Sequence, residues 1–384
     1  MTPFGRIEAG AGGSGPRCGG REHRGFSPPG PAFGIFRAGS NVAERESFII
    51  AKPLISVLIP VWNAEATLGE CLESLLVQTE TRWECLLVDD GSNDRSVEIG
   101  SHFAVKDSRI RVVPCEHSGI VGSLNTGLEL CRGPFVARMD ADDRMHPERL
   151  ALQRGALEAN PGWAAVGCQV ELFPADAVTD GRREYARWLN GISRPEEVRN
   201  EAFVECPIAH PALFARRKPM QDFGYRAAGW PEDYDMVLRW LGAGLRLANV
   251  SRPLLEWRET PGRLSRTSEV YGIDRFTACK ASHLFESFLR RSPGYTLWGH
   301  GSTGRALRKE LERLGSRPTR IVEVHPRRLG ESIHGAEVIP PEALPVPASE
   351  RIVVSVAGAK RRARIRRWLS RHGHREGVDY VCAA

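Results

Sequence analysis

No stretch of this chain approaches the roughly eighteen consecutive apolar residues that a membrane-crossing helix needs, and its start, MTPFGRIEAGAGGSGPRCGG, lacks the apolar core of a secretory leader. A cytoplasmic protein is the expectation, working free or at the inner face of a membrane. Cysteine offers no C-x-x-C pair. The nine cysteines are scattered, and Cys71, Cys85, Cys131 and Cys168 fall at apolar-face positions, where a free thiol behaves as a small hydrophobe. Neither a disulfide framework nor a zinc site is suggested. Near the first strand-like segment there is no Gly-rich, Lys-containing loop of the kind that cradles a triphosphate.

What is present is enough for two domains: 384 residues, 41% of them hydrophobic. The formal charge of +6 comes from 53 basic against 47 acidic residues, and KRRARIRRW alone holds six of the basic side chains. Such an excess suits an enzyme of anionic substrates or contact with an anionic membrane surface, and no nucleic-acid partner is expected. Residues 1–50, rich in Gly, Pro, Ser and Arg without periodicity, read as a disordered extension.

Order is expected from LISVLIP, a buried parallel strand, followed by a helix in which Thr67 and Glu70 fit a capping box and Leu68, Cys71, Leu72, Leu75 and Leu76 repeat at helical spacing. The alternation continues through ECLLV, a helix over 94–104, RIRVV, a helix lined by Val121, Leu124, Leu128 and Cys131, and PFVARM. It predicts an α/β fold with a mainly parallel sheet and helices on both faces, spanning 51–290. WAAVGCQVELF and HPALFARR read as further strands, 195–204 and 268–290 as helices, and GWPEDYDMVLRWLGAG as a loop entering a helix. In such sheets ligands gather beyond the carboxyl ends of the strands, so PVWNAE, DDGSND and DADD should meet on one rim.

DADD carries the sharpest signal. Carboxylates are hard ligands for Mg²⁺ or Mn²⁺, and a cation at Asp142 would meet a diphosphate. Capping of the helix expected near His146 by Asp142 or Asp143 is the competing reading. Asp89 and Asp90 stand at a second strand end, where a carboxylate can accept an imide N–H such as that of uracil; a simple turn is the alternative. Glu232 and Asp233 open a helix, as favourable dipole partners or as a catalytic pair.

Taken in order over residues 53–260, SVLIPVWNAEATLGECLESLLVQT, LLVDDGSND, HSGIVGSLNTGL, FVARMDADD and GWPEDYDMVLRW resemble the family 2 glycosyltransferases, nucleotide-sugar enzymes of the GT-A fold. The resemblance implies that Pro60, Val61, Asn63 and Glu65 form the first nucleotide-binding loop and that Asp90, with Asp89 beside it, reads the base, most simply the uracil of UDP. It implies that Asp140 lies on the ribose side and near the metal, that Asp142 is the metal ligand, and that Gly119 and Asn125 close over the nucleoside. Glu232 then belongs to the substrate site and Asp233 is the base that takes a proton from an acceptor hydroxyl, with inversion. Trp62 stands where the family often has a smaller or phenolic residue, and EHSGIVGSLN replaces its usual Arg-containing run. His210 is read as a packing residue, and WRETPGRLSRTSEVY, with Arg258, as either a mobile loop near the donor phosphates or a solvated one. The partners implied are a nucleotide-sugar donor and a saccharide or lipid-linked acceptor in cell-surface polysaccharide synthesis, with peripheral membrane contact admitted.

Over 294–384 a second unit begins. Gly299, Gly301 and Gly304 have G-x-G-x-x-G spacing after the strand-like YTLW, and Glu323 ends the next strand where an acid could bind ribose. The segment resembles Rossmann-like modules, including those that precede some sugar acyltransferases, so a dinucleotide or nucleotide is its expected ligand. It holds no Tyr-x-x-x-Lys of the dehydrogenase type. A nucleotide-sugar oxidoreductase or a nucleotide-binding regulatory protein led by this unit is the alternative function. The basic run 360–367 is read as the solvated face of a helix whose apolar side is Ile365, Trp368 and Leu369.

Overall fold

The computed structural model describes residues 52–260, 262–345 and 350–384, and the extension expected over 1–50 lies outside them. The chain opens with β1 (Ile55–Val61), α1 (Leu68–Leu76), β2 (Trp83–Asp89), α2 (Ser96–Lys106), β3 (Ile110–Pro114), α3 (Gly119–Leu130) and β4 (Phe135–Arg138). Every residue of β1 and β2 is buried, as a strand covered on both faces requires. The period of two divides β1 cleanly: Ile55, Val57, Ile59 and Val61 join α1 and α2 in one core, while Leu58 packs with Leu124 and Leu128 of α3 in the other.

There follow β5 (Arg144–Met145), α4 (Arg149–Ala159), β6 (Trp163–Phe173), α5 (Asp180–Asn190), α6 (Pro195–Glu201), β7 (Phe214–Arg216), α7 (Arg217–Phe223), α8 (Glu232–Gly242) and β8 (Arg246–Arg258). The sheet runs β3-β2-β1-β4-β7-β6-β8-β5. Its first four strands are parallel, β7 is antiparallel to both β4 and β6, and β5 pairs antiparallel to β8. HPALFARR, expected as one strand, is a short 3₁₀ turn over His210–Ala212 and then only the three residues of β7. The helix expected over 268–290 starts at Ile273, because Gly272 is extended.

The capping box at α1 does not form. Thr67 occupies the N-cap without a side-chain cap bond; its Oγ1 donates instead to the Ala141 carbonyl at 3.1 Å, and Glu70 pairs with Arg258 at 2.5 Å. Tertiary partners, Ala141 in the aspartate loop and Arg258 at the end of β8, have taken both side chains.

After α9 (Leu264–Thr267) and α10 (Ile273–Glu286) comes a second, smaller sheet: β9 (Tyr295–Trp298), α11 (Ser302–Arg313), β10 (Pro318–Val322), β11 (Ser332–Ile333), β12 (Ala336–Ile339), β13 (Arg351–Val354), α12 (Ala359–Arg371) and β14 (Tyr380–Cys382). Its order is β11-β12-β10-β9-β13-β14, parallel except for the β11–β12 hairpin. The chain therefore reverses direction across the sheet between β9 and β13, a switch point where ligands of doubly wound folds sit.

Ile365 and Leu369 of α12 are buried as expected, but the basic run is not wholly solvated. Arg366 pairs with Glu376 at 2.8 Å and with Glu201, and Arg362 lies 3.6 Å from Glu201. Glu201 ends α6, so these arginines tie the second sheet to the first. Lys280 adds bonds to the carbonyls of Val204 at 3.1 Å and Ala383 at 2.9 Å. Among the described residues no helix is long and apolar enough to cross a membrane.

Candidate active site

Because β1, β2 and β4 are parallel neighbours, their carboxyl ends deliver the three polar clusters to one rim. Two of them interlock. Asn63, at φ 50°, receives the Asn93 amide on Oδ1 at 2.9 Å; its own amide donates to Ser92 Oγ at 3.0 Å. Glu65 accepts the Arg95 amide at 3.1 Å, while the Glu65 amide donates to Asp94 at 3.0 Å. Asn63 and Glu65 thus brace the loop that Pro60 and Val61 lead into.

Asp89 and Asp90 are both buried. Asp89 Oδ2 accepts the Ser92 amide at 3.1 Å, the turn chemistry expected of Asp-Asp-Gly-Ser, but its Oδ1 has no hydrogen-bond partner among the described residues. Asp90 receives the amides of Ser118 at 2.8 Å and Gly119 at 3.0 Å, so it anchors the start of α3, where Gly119 takes φ 77°. His117 Nδ1 lies 2.9 Å from Asp90 Oδ2, and its ring stacks on Trp62 at 5.2 Å. Trp62 is 55% exposed. Asn125 is fully engaged by the Tyr225 backbone, donating at 3.0 Å and accepting at 2.9 Å.

Asp140, Asp142 and Asp143 bring carboxylate oxygens within 4.8 Å of one another. None caps α4, which starts only at Arg149 and has no side-chain cap; the capping reading fails. Asp143 is buried and accepts the Arg258 amide at 2.8 Å, while its Oδ2 lacks a partner. Burial and the neighbouring Asp140 push Asp142 up to about 6 and raise Asp143 as well. Three crowded acids with an unsatisfied buried oxygen are short of positive charge. Their all-oxygen donor set could hold a hard divalent cation such as Mg²⁺ or Mn²⁺. Arg258 is a brace here: its Nε donates to the Asp142 carbonyl at 2.6 Å and its Nη2 reaches Glu70. The segment after it is pinned too, since buried Glu259 pairs with Arg182 at 2.7 Å, Arg263 at 3.2 Å and Arg266.

Glu232 and Asp233 form the first turn of α8. Glu232 is buried, receives the Tyr271 hydroxyl at 2.6 Å and lies 3.7 Å from His210 Nδ1. His210 bonds Tyr225 through Nε2 at 2.9 Å, and burial, then the charge of Arg138, lower its pKa and keep the ring neutral. His210 therefore belongs to the acid cluster as well as to the packing. Asp233 is half-buried; burial and the adjoining Glu232 push it up to about 7. Arg138, buried at the end of β4, pairs with Asp140, and its charge also bears on Glu232 and Asp233. Arg138, Tyr225, Glu259 and Tyr271 were not singled out from the sequence. A charged residue inside the otherwise apolar run PFVARM is the signal that could have pointed to Arg138.

Residues 56–224 match the family described as Glycosyl transferase family 2. The putative glycosyltransferase EpsE of Bacillus subtilis (strain 168) is 30% identical over 238 residues, 59% of this chain and 82% of EpsE. The O-antigen biosynthesis protein RfbC of Myxococcus xanthus is 31% identical over 269 residues, 68% of this chain, and the chain spans only 20% of RfbC. In structure, residues 1–349 of Staphylococcus aureus TarS in complex with UDP-GlcNAc resemble the chain with a TM-score of 0.51 at 17% identity, over 67% of this chain and 72% of that one. This likeness bears on the fold: the first sheet has the GT-A arrangement.

Proposed function

The chain belongs to glycosyl transferase family 2, and from that premise we propose an inverting, divalent-metal-dependent enzyme that moves a sugar from a nucleotide donor, most simply a UDP-sugar, to a hydroxyl of a saccharide or lipid-linked acceptor. Residues 51–290 are read as the transferase domain and 294–384 as a Rossmann-like module of the kind that precedes some sugar acyltransferases. The names of EpsE, a putative glycosyltransferase, and RfbC, an O-antigen biosynthesis protein, favour a role in cell-surface polysaccharide assembly.

The observation that carries the mechanism is the half-buried Asp233, raised to about 7 beside Glu232, on the rim that also bears the aspartate cluster. A base with that pKa is about half deprotonated at neutrality and strong enough to take a proton. In this reading Asp233 accepts the proton of the acceptor hydroxyl as its oxygen bonds to the anomeric carbon, while the bond from that carbon to the nucleoside diphosphate breaks on the opposite face. Glu232, held by Tyr271 and flanked by His210, orients the acceptor hydroxyls. The Trp62–His117 pair offers a stacking face to the base, and the free Asp89 Oδ1 an acceptor for its imide N–H. Asp142 and Asp140 would hold the metal, which when bound offsets the charge of the departing diphosphate.

Asp233→Asn tests this. Nucleoside diphosphate release from the donor in the presence of acceptor should fall by a factor of roughly 10² to 10⁴ while donor affinity stays within about twofold. Unchanged turnover would remove Asp233 from the role of base.

A further inference from the structure

At the switch point of the second sheet, the three glycines have separate reasons to be glycine. Gly299 takes φ 96°, and a Cβ there would run into Val356; a Cβ on Gly304 would run into the Gly299 carbonyl. Gly301 has neither constraint: its φ is −72° and a Cβ would meet nothing within 4 Å. The fold does not require a glycine at 301, whereas a ligand approaching the backbone would.

Independent features converge on the same loop. Gly301 is the N-cap of the twelve-residue α11 and no side chain caps that end, while Gly301, Ser302 and Thr303 are exposed. Two buried polar side chains flank the loop without partners: His300 Nε2, in a residue 5% exposed, and Ser355 Oγ, in one 2% exposed. Ser355 lies beside the glycines, its carbonyl accepting from Thr303 Oγ1 at 3.3 Å. Cationic side chains flank the loop. Burial lowers the His300 pKa first, and Arg308, Arg305, Arg328 and His334 lower it further. Arg308 is paired with Glu312 at 2.6 Å and Arg328 with Glu323 at 3.5 Å, while Arg305 is exposed and its Nη1 donates to the His300 carbonyl at 3.4 Å. Neutral imidazole, uncapped amides and cations together favour an anion.

We propose that this switch point is a second nucleotide site, in which a diphosphate rests on the Gly301–Thr303 end of α11 beside His300 and Arg305, and Glu323, at the tip of β10, receives ribose hydroxyls. Glu323 Oε1 accepts the Val324 amide and its Oε2 lies 3.5 Å from Arg328, so ribose hydroxyls would share the carboxylate with these partners. The ligand class is a nucleotide with a pyrophosphate, either a dinucleotide or a nucleoside diphosphate. The proposal does not depend on the transferase reading.

Hydrogen exchange of the full chain, read by peptide, separates this site from the first rim. NAD⁺, ADP, UDP and inorganic pyrophosphate are added in turn with EDTA present. A nucleotide at a hundredfold excess over its Kd should slow the amides of 299–305 by about a hundredfold, less where they exchange without release. Gly301→Val should abolish that slowing at an unchanged Tm; Arg305→Glu, an exposed change, serves if Gly301→Val lowers the Tm. Slowing by NAD⁺ alone identifies a dinucleotide, and slowing by ADP or UDP a nucleoside diphosphate. No slowing at 299–305, equal slowing in the variants, or pyrophosphate acting as strongly as every nucleotide overturns the proposal. Slowing confined to 60–65 and 89–92 also overturns it, while leaving the transferase reading intact.

Discussion

At the carboxyl ends of the strands of the first sheet stand Asp89, Asp90, Asp140, Asp142 and Asp143; beyond those of the second stand three glycines and a neutral histidine among arginines. Both rims follow from parallel strands that cross over on helices, and both are where such sheets gather ligands. Topology sets the place and side chains set the charge. In the acid rim the clustered carboxylates outnumber the arginines that pair with them, in line with the raised Asp142 and Asp143, so the rim suits a further cation. The glycine rim presents bare helix amides, so it calls for an anion. Metal removal should therefore act on the first rim and leave the second untouched.

The largest effect should come from Asp142→Asn. Wild-type protein at a hundredfold excess of UDP over its Kd, with Mn²⁺, should gain about 2.7 kcal/mol of stability, and chelation or the substitution should remove most of that gain. Thermal unfolding measures it. A gain that survives both would dissociate the acid rim from metal and collapse the contrast between the two rims.

Next in size is the join between the sheets. Arg366→Ala leaves Glu201 and Glu376 without their main partner, in an interface that is largely but not wholly buried. A loss of roughly 2 kcal/mol is expected, below the figure for a fully buried pair because of the residual exposure. Calorimetry that resolves two unfolding steps in the variant and one in the wild type would show that α12 couples the regions; a variant that unfolds like the wild type would show that the apolar contacts suffice.

Smaller again is the pH response of Asp233. Its folded pKa is raised to about 7, and the reactive form is the charged one, so turnover should rise with pH and level off above 7. At pH 6 it should be about tenfold below the plateau. Stability takes the opposite sign: a carboxyl that holds its proton more tightly when folded contributes stability at low pH, and that contribution is lost as pH rises through 7. A rate profile flat from pH 6 to 8 would remove Asp233 from the proton transfer.

Much of this was legible in the chain. The alternation from β1 to β4 and the acids at the strand ends follow from local periodicity, and β6 coincides with WAAVGCQVELF over its whole length. What escaped was tertiary. The insertion of the three-residue β7, antiparallel between β4 and β6, leaves no pattern of its own in eight residues of HPALFARR. Asn63, Glu65 and Asn125 carry site chemistry by resemblance, yet here their side chains bind neighbouring backbone, which no spacing could announce. Arg138 was hidden because its partner Asp140 lies only two residues on, beyond the end of the strand, where the backbone turns.

Glu70 tests the smallest of these distinctions, between a local and a tertiary role for one side chain. As the acid of a capping box it would bond the Thr67 amide, and its loss would cost about 1 kcal/mol regardless of salt. The structure instead gives that amide to the Ala64 carbonyl and gives Glu70 to Arg258, with Arg144 3.8 Å away. Half of Glu70 remains exposed, and Arg258 keeps its bonds to the Asp142 carbonyl and the Asp143 carboxylate without it. Glu70→Ala should therefore cost only about 0.5 kcal/mol in dilute buffer, and the difference from wild type should shrink towards zero in about 1 M salt, where exposed charges are screened within about 3 Å. A salt-independent loss, measured by denaturant unfolding at both ionic strengths, would restore the capping role and place Arg258 free to move towards the donor.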